Sequence, residues 1–188
     1  FYLDVDICQL GMDQRKVNVL ARELAPKLGF KKPVVVSHHM LMGLGKPGSQ
    51  TEDKTQRAIE MKMSKSKPDS AIFMTDSQED IERKINKAWC PEGEIKENPI
   101  LEYCRYILFE KFPEITIERP AKFGGTVTVG SFAELEKSFA EKRIHPQDLK
   151  KAVSRLLDEL IEPVRRHFSE NKQAKVLLEQ VKSFEITR

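Results

Sequence analysis

The sequence has few cysteines, no long apolar run and no large excess of either charge, and each shortage excludes something. Cys8, Cys90 and Cys104 are an odd number at wide spacing, and the four histidines do not fall at zinc-ligand intervals with them. Neither a disulfide framework nor a structural metal is therefore indicated, and a reducing cytoplasm suits this cysteine usage. No stretch approaches the roughly 20 apolar residues that a bilayer span needs. The opening Phe1-Tyr2-Leu3-Asp4-Val5-Asp6 lacks the basic and then apolar order of a signal peptide. It also lacks an initiator Met, and a start inside a strand-like phrase reads as part of a longer chain. The 32 Lys and Arg nearly balance 29 Asp and Glu, so a net charge of +3 permits a polyanionic partner without demanding one.

What is present, 188 residues with 39% hydrophobic content, suffices for one ordinary domain or two small ones. From Asp13 to Leu28, Val17, Leu20, Ala21, Leu24, Ala25 and Leu28 recur at helical spacing, and Gly29 stands where a left-handed cap is wanted. Val34-Val35-Val36 follows without alternation, which predicts a strand buried on both faces of a parallel sheet. A helix followed by such a strand suggests part of an α/β unit. Gly43 to Glu60, with Gly43, Gly45, Pro47 and Gly48, predicts a long mobile surface loop. Ser77 with Asp80 and Ser131 with Glu134 predict capped helices, the first burying Ile81, Ile85, Ala88 and Trp89.

Beyond Pro91-Glu92-Gly93 the pattern becomes mostly helical, which predicts a second domain. A helix should start after Pro99, and short strands should span Ile115 to Glu118 and Thr126 to Val129. The longest helix should start at Pro146 and bury Leu149, Ala152, Val153, Leu156, Leu157, Leu160 and Ile161, with a kink or restart at Pro163. The tail after Ser169 should fray unless Val176, Leu177 and Val181 dock on the core. Lys150, Lys151, Arg155, Arg165 and Arg166 on or near the long helix could meet phosphates, although a solvated face explains most such cations.

Three phrases carry chemistry. Lys62-Met63-Ser64-Lys65-Ser66 matches the KMSKS signature of class I aminoacyl-tRNA synthetases at every letter. Two lysines and two hydroxyls on a closing loop suit ATP activation, because negative charge grows on the departing pyrophosphate. On residue types alone, a solvated basic loop is equally open. Gln9-Leu10-Gly11-Met12-Asp13-Gln14-Arg15-Lys16 sets a glycine and an acid before a helix; taken alone, Asp13 is a helix cap and Gln14 a first-turn polar residue. Lys122-Phe123-Gly124-Gly125 and Ile144-His145-Pro146-Gln147-Asp148-Leu149-Lys150 could equally be a core aromatic and a helix start with a favourable first-turn acid.

Together, in this order, the phrases resemble the tyrosyl-tRNA synthetases of archaeal and eukaryotic type from Tyr2 to about Phe168. Lys87-Ala88-Trp89-Cys90-Pro91-Glu92-Gly93 also resembles that family, where its equivalent leads from the catalytic to the anticodon domain. The resemblance implies an α/β chain: the C-terminal half of a Rossmann-like class I synthetase catalytic domain over residues 1–90, then a mostly α-helical anticodon-binding domain over 91–188. It implies ATP-dependent activation of tyrosine to tyrosyl-adenylate and its transfer to tRNA(Tyr), with Mg2+ accompanying ATP as substrate. Lys62, Lys65, Ser64 and Ser66 would act on the pyrophosphate, Gly11, Asp13 and Met63 would meet ATP and its ribose, and Gln14 would hold tyrosine. Phe123 would stack on the first anticodon base, with His145 and Asp148 selecting it.

Leu10 departs from relatives that carry a second glycine there. The HIGH signature of class I synthetases does not occur in the sequence. The chain therefore reads as the C-terminal portion, inactive alone, needing a complementary N-terminal segment and forming a homodimer in the longer protein. Two alternatives stand beside this reading: a tryptophanyl-tRNA synthetase and a non-catalytic tRNA-binding fragment of a synthetase. The Asp13 to Lys16 and Phe123 to Gly125 phrases favour tyrosine over tryptophan.

Overall fold

The computed structural model describes residues 1–47, 63 and 67–184. The chain divides into two compact units, Phe1–Leu41 and Met42–Arg188.

In the first unit, strand β1 (Ile7–Gly11) runs through a 3-10 turn at Met12–Gln14 into helix α1 (Arg15–Leu24), and strand β2 (Val34–His38) follows. The strands are parallel, in a register that sets Ile7 opposite Val34 and Gly11 opposite His38. Gly29 takes the left-handed conformation, φ 74°, closing the 3-10 turn Pro26–Leu28 that follows α1. Local structure thus follows local sequence, but burial does not. Val34 is 55% and Val36 46% exposed, and on α1 Val17, Leu20 and Leu24 are also exposed, with Leu28 just beyond it. The expected strand buried on both faces is corrected, and the apolar spacing of α1 does not translate into a buried face. Two strands at a spacing of about 4.8 Å form too narrow a ribbon to cover a helix or be covered on two sides. Only Ala25 and Asn18 are well buried on the helical stretch, and the Asn18 amide nitrogen has no hydrogen-bond partner. Leaving such a donor unsatisfied costs about 1–3 kcal/mol.

The second unit has a continuous apolar core. Helix α2 (Gln78–Lys87) is capped by Ser77, whose hydroxyl accepts from the Asp80 amide, and it turns Ile81 and Ile85 fully inward. Helix α3 (Pro99–Tyr103) is capped by Asn98, which accepts from the Ile100 and Leu101 amides. It continues through a π-helical turn, Cys104–Leu108, into the short α4 (Phe109–Lys111). Strands β3 (Ile115–Ile117) and β4 (Val127–Val129) pair antiparallel, with Ile115 and Val129 inward and the Thr116 and Thr128 hydroxyls 3.1 Å apart. Helix α5 (Phe132–Ala140), capped by Ser131, and helix α6 (Pro146–Glu170) complete the core with Leu135, Phe139, Leu149 and Val153.

Helix α6 runs unbroken through Pro163, correcting the expected restart. The carbonyl that loses its donor is that of Glu159, an exposed residue, where water can replace the bond. Helix α7 (Lys172–Ser183) forms with an Asn171 cap, yet Val176, Leu177 and Val181 remain exposed instead of docking on the core. Capping suffices to start this helix; no apolar surface meets its outer residues.

Around the stretch that holds the KMSKS signature, backbone bonds tie the chain to the helical body. The Leu44 amide donates to Ser70 O at 3.0 Å, and the Trp89 amide donates to Leu44 O at 2.8 Å. Lys84, buried at 3% exposure, donates to Asp76 at 2.6 Å and to Ala71 O at 3.0 Å, and its ammonium lies 4.5 Å from the Phe73 ring centroid. Arg165 reaches from α6 to donate to Asp76 O at 3.0 Å and pairs with Asp158 at 2.5 Å. Lys150 is buried and donates to Asn86 O at 2.9 Å, while Arg155 donates to Thr116 O. Lys150 and Arg165 are therefore structural ties rather than members of a solvated basic face, whereas Arg155 keeps an exposed side chain.

Candidate functional site

In the first unit, β1 ends at Gly11 and the chain turns at once, which brings Gly11, Asp13 and Gln14 together before α1. Gly11 has an ordinary φ of −62°, so its need is space. A Cβ there would lie 2.2 Å from Met40 Sδ and 2.6 Å from an Asp13 carboxylate oxygen. Gln14 donates to the other Asp13 oxygen at 3.3 Å on an exposed surface. The carboxylate is thus placed beside a bare backbone, with an amide donor next to it.

Lys62, Ser64, Lys65 and Ser66 lie outside the described residues. Met63 is described, half-buried, and packs against the apolar core of the second unit. Cys90 and Cys104 are buried, and burial pushes both thiols up, as expected of packing residues rather than nucleophiles. Among the described residues no group of His, Cys, Asp or Glu could hold a metal ion, and no helix is long and apolar enough to cross a membrane.

The second unit brings its three sequence-marked residues to one place. Phe123, His145 and Asp148 line a cavity of about 670 Å³, together with Glu92, Arg119 and Lys142. Phe123 closes the 3-10 turn Ala121–Phe123 in the loop between β3 and β4. That turn bonds to itself: the Phe123 and Gly125 amides both donate to Pro120 O, at 2.9 and 3.3 Å, and the Gly124 amide donates to Ala121 O. Gly124 and Gly125 take φ of 95° and 69°, the left-handed region where a side chain is disfavoured. The turn leaves Phe123 61% exposed with the Lys122 ammonium 4.8 Å from its ring centroid, so the ring is not a core residue.

His145 and Asp148 stand at the start of α6. His145 is its N-cap, and Nδ1 accepts from the Gln147 amide at 3.2 Å. In the neutral ring the proton is therefore on Nε2, which makes that nitrogen a donor. Asp148 sits half-buried in the first turn, where the helix dipole favours its negative charge. An exposed aromatic face, a ring N–H and a carboxylate around one cavity can stack a flat ring and pair with its edge. The helix-start reading of His145 and Asp148 holds as well, since His145 caps the helix, Asp148 lies in its first turn, and both line the cavity.

Arg119, Glu92 and Lys142 also line the cavity and were missed in the sequence. Lys142 takes φ of 58°, uncommon for a residue with a side chain. Gly124-Gly125 signalled a special turn, but nothing local said which residue would hold it.

The family model for class I tRNA synthetases of the W and Y group matches residues 1–162. The tyrosine–tRNA ligase of Thermococcus sibiricus is 47% identical over 202 residues, covering all of this chain and 53% of the relative. Cytoplasmic tyrosine–tRNA ligase 1 of Arabidopsis thaliana is 47% identical over 189 residues, covering all of this chain and 46% of the relative. The tyrosyl-tRNA synthetase of Pyrococcus horikoshii complexed with L-tyrosine superimposes with a TM-score of 0.84 at 46% identity, over 96% of this chain and 52% of that one. The chain spans about half the length of the curated relatives it matches. It belongs to the class I tRNA synthetase family of the W and Y group, among the tyrosyl-tRNA synthetases of archaeal and eukaryotic type.

Proposed function

We propose that this chain is the KMSKS-bearing portion of a tyrosine–tRNA ligase, with residues 1–90 serving the catalytic domain and 91–188 the anticodon-binding domain. In this reading the longer protein activates tyrosine with ATP, Mg2+ entering with ATP as substrate, and transfers it to tRNA(Tyr) as a cytoplasmic homodimer. The tyrosine carboxylate attacks ATP directly, so the protein contributes positioning and electrostatic stabilisation. Lys62 and Lys65, assisted by Ser64 and Ser66, follow the charge of the departing pyrophosphate. Gly11, Asp13 and Met63 serve ATP and its ribose, and Gln14 holds the amino acid.

Phe123 stacks on the first anticodon base, while His145 and Asp148 pair with its edge; a carboxylate suits the donor edge of guanine. The observation that carries this reading is the cavity shared by the exposed Phe123 ring, His145 and Asp148. The test is titration of the chain with fluorescent anticodon stem-loops bearing tyrosine and tryptophan anticodons, at fixed salt, beside Phe123→Ala. The expected result is a preference for the tyrosine stem-loop that Phe123→Ala abolishes. Equal and steeply salt-dependent binding of both would reduce the interaction to phosphate attraction and sink the anticodon assignment.

A further inference from the structure

We propose that Arg119 is a positioning residue that sets the distance between the two walls of the cavity, and that discrimination at the first anticodon base depends on it. The inference rests on the anticodon reading above.

The two walls come from separate parts of the chain. One is the 3-10 turn that presents Phe123, and the other is the stretch that leads into the His145 cap and Asp148. The Arg119 guanidinium joins them. Its Nε donates to Gly125 O at 2.8 Å, gripping the turn just beyond Phe123. One terminal nitrogen donates to Arg143 O, two residues before His145. The other terminal nitrogen lies 3.2 Å from where a Cβ on Gly124 would sit, so the guanidinium rests against the bare backbone of that glycine.

A planar guanidinium with donors on several edges can hold two carbonyls at a fixed separation. An ammonium is a point donor on a loose stem and cannot reproduce that geometry. Stacking a base on Phe123 while pairing its edge with His145 and Asp148 requires the two walls in register. The turn's own backbone bonds shape the Phe123 loop, but none of them reaches the His145 side. Arg119 therefore acts through the cavity's width, without itself reading the base.

The experiment measures binding of the full chain to the tyrosine anticodon stem-loop and to the same loop with its first base replaced, across a salt series. Wild type, Arg119→Ala, Arg119→Lys and Phe123→Ala are compared, with circular dichroism and thermal melting as fold controls. Wild type should prefer the correct first base, and Arg119→Ala should lower that preference about tenfold. Arg119→Lys should not restore it, and the slope of log affinity against log salt should stay at the wild-type value in both variants. Loss of about one from that slope with the preference intact would make Arg119 a phosphate contact and overturn the proposal. So would full preference in Arg119→Lys, which keeps the charge and the stem if Arg119→Ala fails to fold. Absence of any first-base preference in wild type would instead defeat the anticodon reading on which the proposal stands.

Discussion

Each unit contains one pair of strands, and the two pairs meet opposite fates. In residues 1–41, β1 and β2 are fully paired yet leave Ile7 64% and Val34 55% exposed; in the second unit Ile115 and Ile117 of β3 are fully buried. Hydrogen bonding does not separate them. The second pair has α6 packed on β3 and a core shared with α2, α3 and α5, whereas the first has a single helix. Strand pairing satisfies backbone groups, but only a covering layer removes apolar side chains from water. The Asn18 amide nitrogen without a partner belongs to the same picture of an uncovered unit.

The contrast can be broken most forcefully in the core. Phe139→Ala, at a fully buried position, should cost about 3–5 kcal/mol in urea unfolding. Val34→Ala in the first unit should shift the midpoint by no more than about 0.5 kcal/mol. Comparable losses at both sites would erase the distinction between the units.

Ion pairs offer a second comparison. Lys84→Ala leaves Asp76 buried without its cation and should cost about 3–5 kcal/mol. Lys31→Ala, removing an exposed partner of Asp6, should leave the unfolding midpoint unchanged. A pronounced salt dependence of the Lys84 effect would mean that the pair is open to solvent.

A smaller effect is expected at alkaline pH. Burial pushes the Tyr103 hydroxyl up to about 12 from an ordinary value of 10.0, so folding favours its neutral form. Its contribution is complete below pH 10.0 and is lost as pH rises from there through about 12. Ultraviolet titration of tyrosinate should show a last step near 12 that Tyr103→Phe removes. Smallest of all, Val34→Thr with Val36→Thr should lower light scattering at high concentration while changing stability by about 0.5 kcal/mol or less.

Much of the local structure was legible in the sequence. Ser77, Ser131, Gly29 and Pro146 stand where caps and helix starts are found, because a cap depends on atoms within a few residues of it. The π-helical turn at Cys104–Leu108 was not legible, since apolar spacing there fits an ordinary helix equally well. For the candidate site, the sequence marked Phe123, His145 and Asp148 and missed Arg119, whose role lies entirely in carbonyls it meets across the fold.

By itself the sequence determined the KMSKS phrase, the order of the helices and strands between Asp13 and Ser169, and the residue types available for stacking and pairing. Tertiary structure decided which apolar residues are buried, that Lys150 and Arg165 are internal ties, and that Phe123 shares a cavity with the start of α6. The physical reason is range: caps and turns are settled between neighbouring residues, whereas burial and a shared cavity require surfaces brought together from distant parts of the chain.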